Sequence, residues 1–217
     1  MSITKYGLGL VIGSWIVFLA FLGITLLFKQ PILIIFSILS GIFSIFNLAF
    51  FRDPERQIPQ IPDAILSPAD GKILQITDVK ENDFFEGKVK RVSIFLSVFN
   101  VHINRSPISG RVEHFRYLRG SFMPAFKEEA SLENEQTAIG IVDEKGRKIM
   151  FTQIAGILAR RIVCVLREGY HTRAGQRMGM IRYGSRVDIY FPEEEVELKV
   201  SDGDKVKGGT SVIGVFR

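Results

Sequence analysis

Three short stretches of this chain carry residue types that can make and break covalent bonds. The first is Arg182-Tyr183-Gly184-Ser185-Arg186-Val187-Asp188. A serine hydroxyl can attack the carbonyl of the residue before it. Glycine at that place offers no side chain to obstruct the attack or to resist a strained backbone. The resulting ester can undergo β-elimination, which frees the Gly184 carboxylate and leaves a dehydroalanine. Tautomerisation and hydrolysis then convert residue 185 into an N-terminal pyruvoyl group. Taken alone, a Gly-Ser pair is most often a turn, so this reading needs support elsewhere in the chain.

The second stretch is Phe99-Asn100-Val101-His102-Ile103-Asn104-Arg105-Ser106-Pro107. The functional reading of His102 is a general base near neutral pH, and its bland reading is a hydrogen-bonded structural histidine. The third is Leu66-Ser67-Pro68-Ala69-Asp70-Gly71. Asp-Gly is a common hairpin turn, but a carboxylate here could instead orient the His102 ring and stabilise its cation. His114, His171 and the single Cys164 read as structural or exposed, with Cys164 a small core residue. No close pairing of these groups suggests a metal site.

The elements that must position these residues are short. Segments of β-type composition fall at 72–79, 91–96, 110–117, 138–142, 148–154, 178–181, 186–191, 195–200 and 211–216, most of them separated by turn residues. The stretch 121–135 reads as a helix or a mobile loop, and 156–168 as helix or strand. The spacing predicts a mainly β domain, a sandwich or barrel. Residues 168–175 echo residues 202–209, each followed by an apolar strand, as in lipoyl-like hairpin elements. That echo raises a competing function: a membrane-tethered barrel-type binding module without catalytic activity. The exposed Met-Lys-Met or Asp-Lys-Ala turn of such carriers is absent from the sequence.

Upstream lie two apolar stretches, 7–28 and 31–51, separated by Lys29-Gln30. Each has about the ~20 residues of a spanning helix, and the short link allows only a helical hairpin. A re-entrant hairpin in one leaflet is the rival geometry. The expected organisation is a membrane-anchoring hairpin at 1–52, a connector at 53–68 and a catalytic β-rich domain at 69–217. The net charge of +5 suits an anionic membrane surface, and Arg52 and Arg56 argue for a cytoplasmic body. Nucleic acid has nothing beyond that charge to recommend it.

Ser-Pro-Ala-Asp-Gly, Asn-Val-His-Ile-Asn-Arg-Ser-Pro and Gly-Met-Ile-Arg-Tyr-Gly-Ser-Arg-Val-Asp resemble, in order and spacing, the short bacterial and archaeal phosphatidylserine decarboxylase proenzymes. Ala159-Arg160-Arg161-Ile162 and the 175–179 stretch look like the same family. The resemblance covers most of residues 60–217. It implies a processing triad of Asp70, His102 and Ser185, and a cut between Gly184 and Ser185 into a β chain, 1–184, and an α chain, 185–217. It also implies a pyruvoyl group at 185, with neither pyridoxal phosphate nor metal, that forms a Schiff base with phosphatidylserine and yields phosphatidylethanolamine. Oligomerisation is compatible with it. The lipid phosphate would fall to arginines, foremost Arg105 and Arg182, with Arg111, Arg160, Arg161 and Arg173 as further candidates. Two departures stand out. Larger bacterial relatives have a histidine three positions before the one matching His102, where this chain has Phe99. They also have Leu-Gly-Ser-Thr at the junction, against Tyr-Gly-Ser-Arg here.

Overall fold

The computed structural model describes residues 2–81, 83–85, 87–157 and 162–217. Contacts divide it into two units, Met1–Glu55 and Arg56–Arg217. In the first, strands β1 (Ser2–Ile3) and β2 (Arg52–Asp53) pair antiparallel. Helices α1 (Leu8–Phe28) and α2 (Pro31–Phe50) lie between them in sequence. The link turns through Lys29 at φ 52°, and Pro31 opens α2 at the position where a helix needs no N–H donor. Burial in the hairpin is inside out. Ser37, Ser44 and Asn47 are buried while Ile16, Leu26, Leu27, Ile42 and Ile45 are exposed. The Thr25 and Ser37 hydroxyls share a hydrogen bond of 2.8 Å, and Ser44 Oγ donates to the Ser14 carbonyl at 2.9 Å. Helices that meet through small and polar groups and turn aliphatic side chains outward suit a lipid surround, and both are long and apolar enough to cross a membrane.

The second unit is built almost wholly of strands. In chain order they are β3 (Ala64–Leu66), β4 (Gly71–Glu81), β5 (Gly87–Leu96), β6 (Ile103–Arg105), β7 (Gly110–Leu118), β8 (Gln136–Val142) and β9 (Lys148–Ala155). They continue with β10 (Ile162–Cys164), β11 (His171–Thr172), β12 (Arg177–Ile181), β13 (Ser185–Phe191), β14 (Val196–Leu198), β15 (Lys205–Val206) and β16 (Val212–Phe216). A single helical turn, α3 (Ala130–Glu133), interrupts them, and a 3₁₀ turn covers Glu193–Glu195. An eight-stranded sheet runs β11-β7-β8-β9-β13-β5-β4-β15, flanked by two three-stranded sheets, β10-β12-β6 and β14-β16-β3. The core fills with Ile73, Val92, Ile94, Val112, Ile139, Ile141, Phe151 and Ile189 from the large sheet and Ile65, Ile213 and Phe216 from a small one. Each such side chain, fully buried, contributes about 1.5–3 kcal/mol. The mainly β class read from the sequence is the architecture observed.

The echo in the sequence is a two-fold repetition in space. Gly169 and Gly203 turn at φ 83° and 88°, and Gly175 and Gly209 at 75° and 76°. Thr172 pairs with Gly110 as Val206 pairs with Gly71. A bulge between Ile73 and Gln75 matches one between Val112 and His114. Leu66 N–H donates to the Pro107 carbonyl and Arg105 N–H to the Pro68 carbonyl, each at 2.9 Å. A Cβ on Gly71 or on Gly110 would lie 2.3 Å from a neighbouring carbonyl oxygen, which excludes any other residue from either corner. The first hairpin of each half has a connection of different length. Between β4 and β5 it covers residues 82–86, whereas its counterpart between β7 and β8 covers 119–135.

Candidate active site

Ser185 is the first residue of β13, a central strand of the large sheet, and faces Leu96 of β5 on one side and Ala155 of β9 on the other. It is fully buried, and its Oγ has no hydrogen-bond partner among the described residues. An unsatisfied buried hydroxyl costs about 1–3 kcal/mol. The backbone just before it is left-handed at two successive residues. Tyr183 sits at φ 57° and Gly184 at φ 75°, both left-handed. Only the glycine adopts that conformation freely. Gly156 packs so closely that a Cβ there would lie 2.6 Å from the Gly184 carbonyl oxygen.

Alternation along β13 sends Ser185, Val187, Ile189 and Phe191 to one face and Arg186, Asp188 and Tyr190 to the other. Val187 belongs to a small apolar cluster with Ala69, Leu96, Ala155 and Ile181. That cluster gathers the neighbours of all three candidate groups. Leu96 and Ala155 flank Ser185, Ala69 precedes Asp70, and Ile181 follows Met180, which pairs with Ile103 beside His102. The loop from Leu96 to His102 is tightened by Asn100, whose Oδ1 accepts from both the backbone N–H and the hydroxyl of Ser97. His102 is fully buried, and its Nδ1–H donates to the Asn100 carbonyl at 3.0 Å. With the proton on Nδ1, Nε2 is the basic nitrogen.

Asp70 is buried and doubly engaged. Oδ2 meets the Arg56 guanidinium at 2.8 Å, and Oδ1 accepts the Gly208 N–H at 2.8 Å. The second contact has a counterpart across the two-fold, where Ser109 Oγ accepts the Ala174 N–H at 2.9 Å. Holding this turn is therefore part of what Asp70 does. Arg105 is also buried and donates to the Gly175 carbonyl at 2.9 Å. Arg182 is half-buried, two residues before Gly184, while Arg111 and Arg173 are exposed. Arg160 and Arg161 lie outside the described residues. Phe99, where the larger relatives have histidine, is 77 % exposed. Cys164 packs against the main core, and burial pushes its thiol pKa up.

Beside the junction opens a cavity of about 340 Å³ walled by Phe95, Val98, Pro124, Phe126 and Ile157, with Tyr183 and Gly184 at its edge. Its walls suit an apolar ligand. Pro124 and Phe126 come from residues 119–135, which run as loop apart from α3. Asn134 pins them, accepting the Met123 N–H and donating to the Met123 and Ala155 carbonyls. Three features escape sequence reasoning here. They are Gly156 against the junction, the cavity, and the burial of Arg186 and Asp188 beneath this segment. The Arg-Val-Asp alternation within an apolar strand was the only available signal.

Comparison with known proteins converges on one family. The family model described as phosphatidylserine decarboxylase matches residues 43–214. A phosphatidylserine decarboxylase proenzyme of Chlorobium phaeobacteroides is 42 % identical over 215 residues, 99 % of this chain and 100 % of that one. Proenzymes of the same name from Desulfotalea psychrophila and Wolbachia sp. subsp. Brugia malayi are 47 % and 51 % identical. The alignments cover 78 % of both chains in the first case, and 76 % of this chain and 73 % of the relative in the second.

Proposed function

The chain belongs to the phosphatidylserine decarboxylase family, and from that premise we propose that it cuts itself between Gly184 and Ser185 and then decarboxylates phosphatidylserine to phosphatidylethanolamine. The observation that carries this reading is the buried, unpartnered Ser185 hydroxyl, directly after a left-handed glycine, at the head of a strand held on both sides. Ser185 Oγ attacks the Gly184 carbonyl carbon while His102 Nε2 takes the hydroxyl proton. An ester replaces the peptide bond. Loss of the Cα proton of residue 185 expels the Gly184 carboxylate and leaves dehydroalanine, and water then releases ammonia to give the pyruvoyl group. Asp70 supplies negative charge near the cationic histidine while it holds its turn.

What the pyruvoyl group supplies is an electron-withdrawing carbonyl for an amine that loses carbon dioxide. The chain's own residues do the rest. β5 and β9 fix the position of residue 185, and the aromatic and aliphatic walls beside Gly184 receive apolar parts of the lipid and exclude water. Arg182 is the better-placed of the two foremost phosphate candidates, because Arg105 is buried against the Gly175 carbonyl. His102, relieved of its first task, is available to protonate the product. The hairpin holds the catalytic unit at the cytoplasmic face of the membrane, where its substrate lies.

Intact mass of the wild-type chain beside Ser185→Ala tests this. Two wild-type fragments split after Gly184, the smaller without a free amine, are expected, with the variant uncut near 24.5 kDa. A wild-type chain that stays whole refutes the reading.

A further inference from the structure

Arg186 is the largest side chain buried completely in the protein. Its Nε donates to Asp188 Oδ1 at 2.6 Å, Nη2 to Ser93 Oγ at 2.7 Å, and Nη1 to the Lys127 carbonyl at 3.2 Å. Asp188 has no exposure either, and its Oδ2 accepts from Ser131 Oγ at 2.8 Å. Glu128 approaches from above, 3.9 Å from Arg186 and ion-paired with Arg91. One guanidinium thus ties together β13, β5 and the segment between β7 and β8.

The two-fold repetition shows that this is not demanded by the fold. Arg186 stands opposite Phe95, and Lys148 stands opposite Val142, at matching places in the two halves. Lys148 is exposed, with its Nζ 5.4 Å from the centroid of the Phe84 ring. The longer segment, 119–135, is what roofs Arg186, and its residues 124–126 also wall the cavity beside Gly184. Replacing a buried ion pair by apolar residues is often neutral or stabilising, so stability does not account for placing charge here.

We propose that Arg186 is a positioning residue that, through Asp188, Ser93 and the Lys127 carbonyl, holds residue 185 in register once the chain before it is cut and keeps residues 123–131 over the adjoining cavity. The role rests on the self-cleavage reading of the Gly184–Ser185 junction. Before the cut, Ser185 is restrained covalently on both sides. Afterwards it ends a chain, and strand ends fray unless tied down. The next side chain along, locked in a dry network, ties it.

The test compares wild type with Arg186→Lys, which keeps the charge but loses the fork, and with the double variant Arg186→Met/Asp188→Leu, which removes the pair without orphaning either charge. In the mature proteins, reaction of the pyruvoyl carbonyl with phenylhydrazine is expected to quicken at least threefold. Lipid turnover is expected to lose at least tenfold in kcat with KM changed less than threefold, while melting temperature stays within a few degrees. In the uncut Ser185→Ala background, Arg186→Lys is expected to speed amide exchange at least tenfold over residues 121–135 and 185–188. Wild-type labelling and kcat in either variant, or unchanged exchange, overturns the proposal. The exchange arm needs no cut chain, so an uncut wild type would refute the processing reading while leaving this result to be read independently.

Discussion

Replacing Gly156 by alanine pushes directly on the bond to be broken. The added Cβ would lie 2.6 Å from the Gly184 oxygen and 3.2 Å from its carbonyl carbon. Ordinary contact begins at 3.4 Å, so one of the two backbones must move by roughly 1 Å, the scale at which catalytic geometry loses about 10²-fold in rate. The Gly156 side cannot yield readily. Ala155 before it is paired with Ser185, donates to the Glu135 carbonyl at 2.9 Å and accepts from Asn134 at 2.7 Å. The displacement therefore falls on the scissile carbonyl. Overpacking of this kind costs about 1–3 kcal/mol of stability, and each kcal/mol lowers the melting temperature of a chain this size by about 2–4 °C. Gly184→Ala is the control. Its Cβ would meet nothing nearer than Val98 at 4.0 Å, leaving only the left-handed backbone penalty of about 1–2 kcal/mol. The assay is a time course of precursor conversion on gels after synchronised cell-free synthesis into vesicles, with melting measured in the uncut Ser185→Ala background. Gly156→Ala is expected to mature about 30–100 times more slowly than wild type, at a melting cost similar to that of Gly184→Ala. Maturation at the wild-type rate in a chain that melts lower would refute the claim that Gly156 sets the position of that carbonyl.

Two further outcomes are expected from the same geometry. Asp70→Ser should keep an acceptor for the Gly208 N–H, as Ser109 provides one for Ala174, while deleting the charge. The variant is expected to fold and to mature at least about 100-fold more slowly by the same gel assay, within the range of general acid–base effects, and normal maturation would reduce Asp70 to a turn residue. Glu128 is the pH-sensitive contact of the roofing segment. Burial works to raise its pKa, but the hydrogen bond and charge of Arg91, with Gln75 and Arg186, outweigh it and hold the carboxyl below its ordinary 4.5. A lowered folded-state pKa gives stabilisation that is complete above the unfolded value and lost as pH falls through the folded one. Limited proteolysis within 121–135 is thus expected to be flat from pH 8 to about 5.5 and to rise below the ordinary carboxylate value, a rise that Glu128→Gln abolishes.

The longer strands were legible as short runs of β-type composition bounded by turn residues, although β8, β9 and β13 are buried along almost their whole length and carry no in-out period of burial. Strands of two or three residues, such as β11 and β15, are too short to carry a period, and these two show themselves only in space, where each pairs at a glycine corner, Gly110 and Gly71. The stretch 121–135 was open between helix and loop for a physical reason. Glu-Glu-Ala-Ser-Leu-Glu-Asn has helical propensity, but Asn134 and Arg186 recruit its carbonyls into contacts with the sheet, and only Ala130–Glu133 keeps a turn of helix. Gly184 and Ser185 were singled out by the chemistry open to the pair together with the three-motif resemblance, since the pair by itself reads as a turn. The proximity of Gly156 to them could not be read, because it depends on where two distant strands end. The two engagements of Asp70 show the converse case, in which one side chain fits both the bland and the chemical reading.

The internal repetition separates what the fold supplies from what the residues supply. The corner equivalent to Gly184–Ser185 is Gly146–Arg147, since Lys148 and Arg186 occupy matching places in the ladder. Gly146 turns at φ 81°, close to the 75° of Gly184, so the left-handed approach to a central strand is present in both halves. At the second corner, however, the residue just before the strand is Arg147, ion-paired to Asp63 and Asp143; burial works to lower its guanidinium pKa, but those carboxylates outweigh it and leave the pKa raised. It offers no nucleophile, and beside it Phe84 and Phe85 pack on Ala138, Met150 and Tyr190. A left-handed glycine ahead of a central strand is therefore architecture. In the proposed processing, what sets one copy of it apart is a serine hydroxyl without a partner among the described residues, a histidine delivered by the loop that leaves the neighbouring strand, and an extended segment anchored to Arg186 that walls the cavity at the junction.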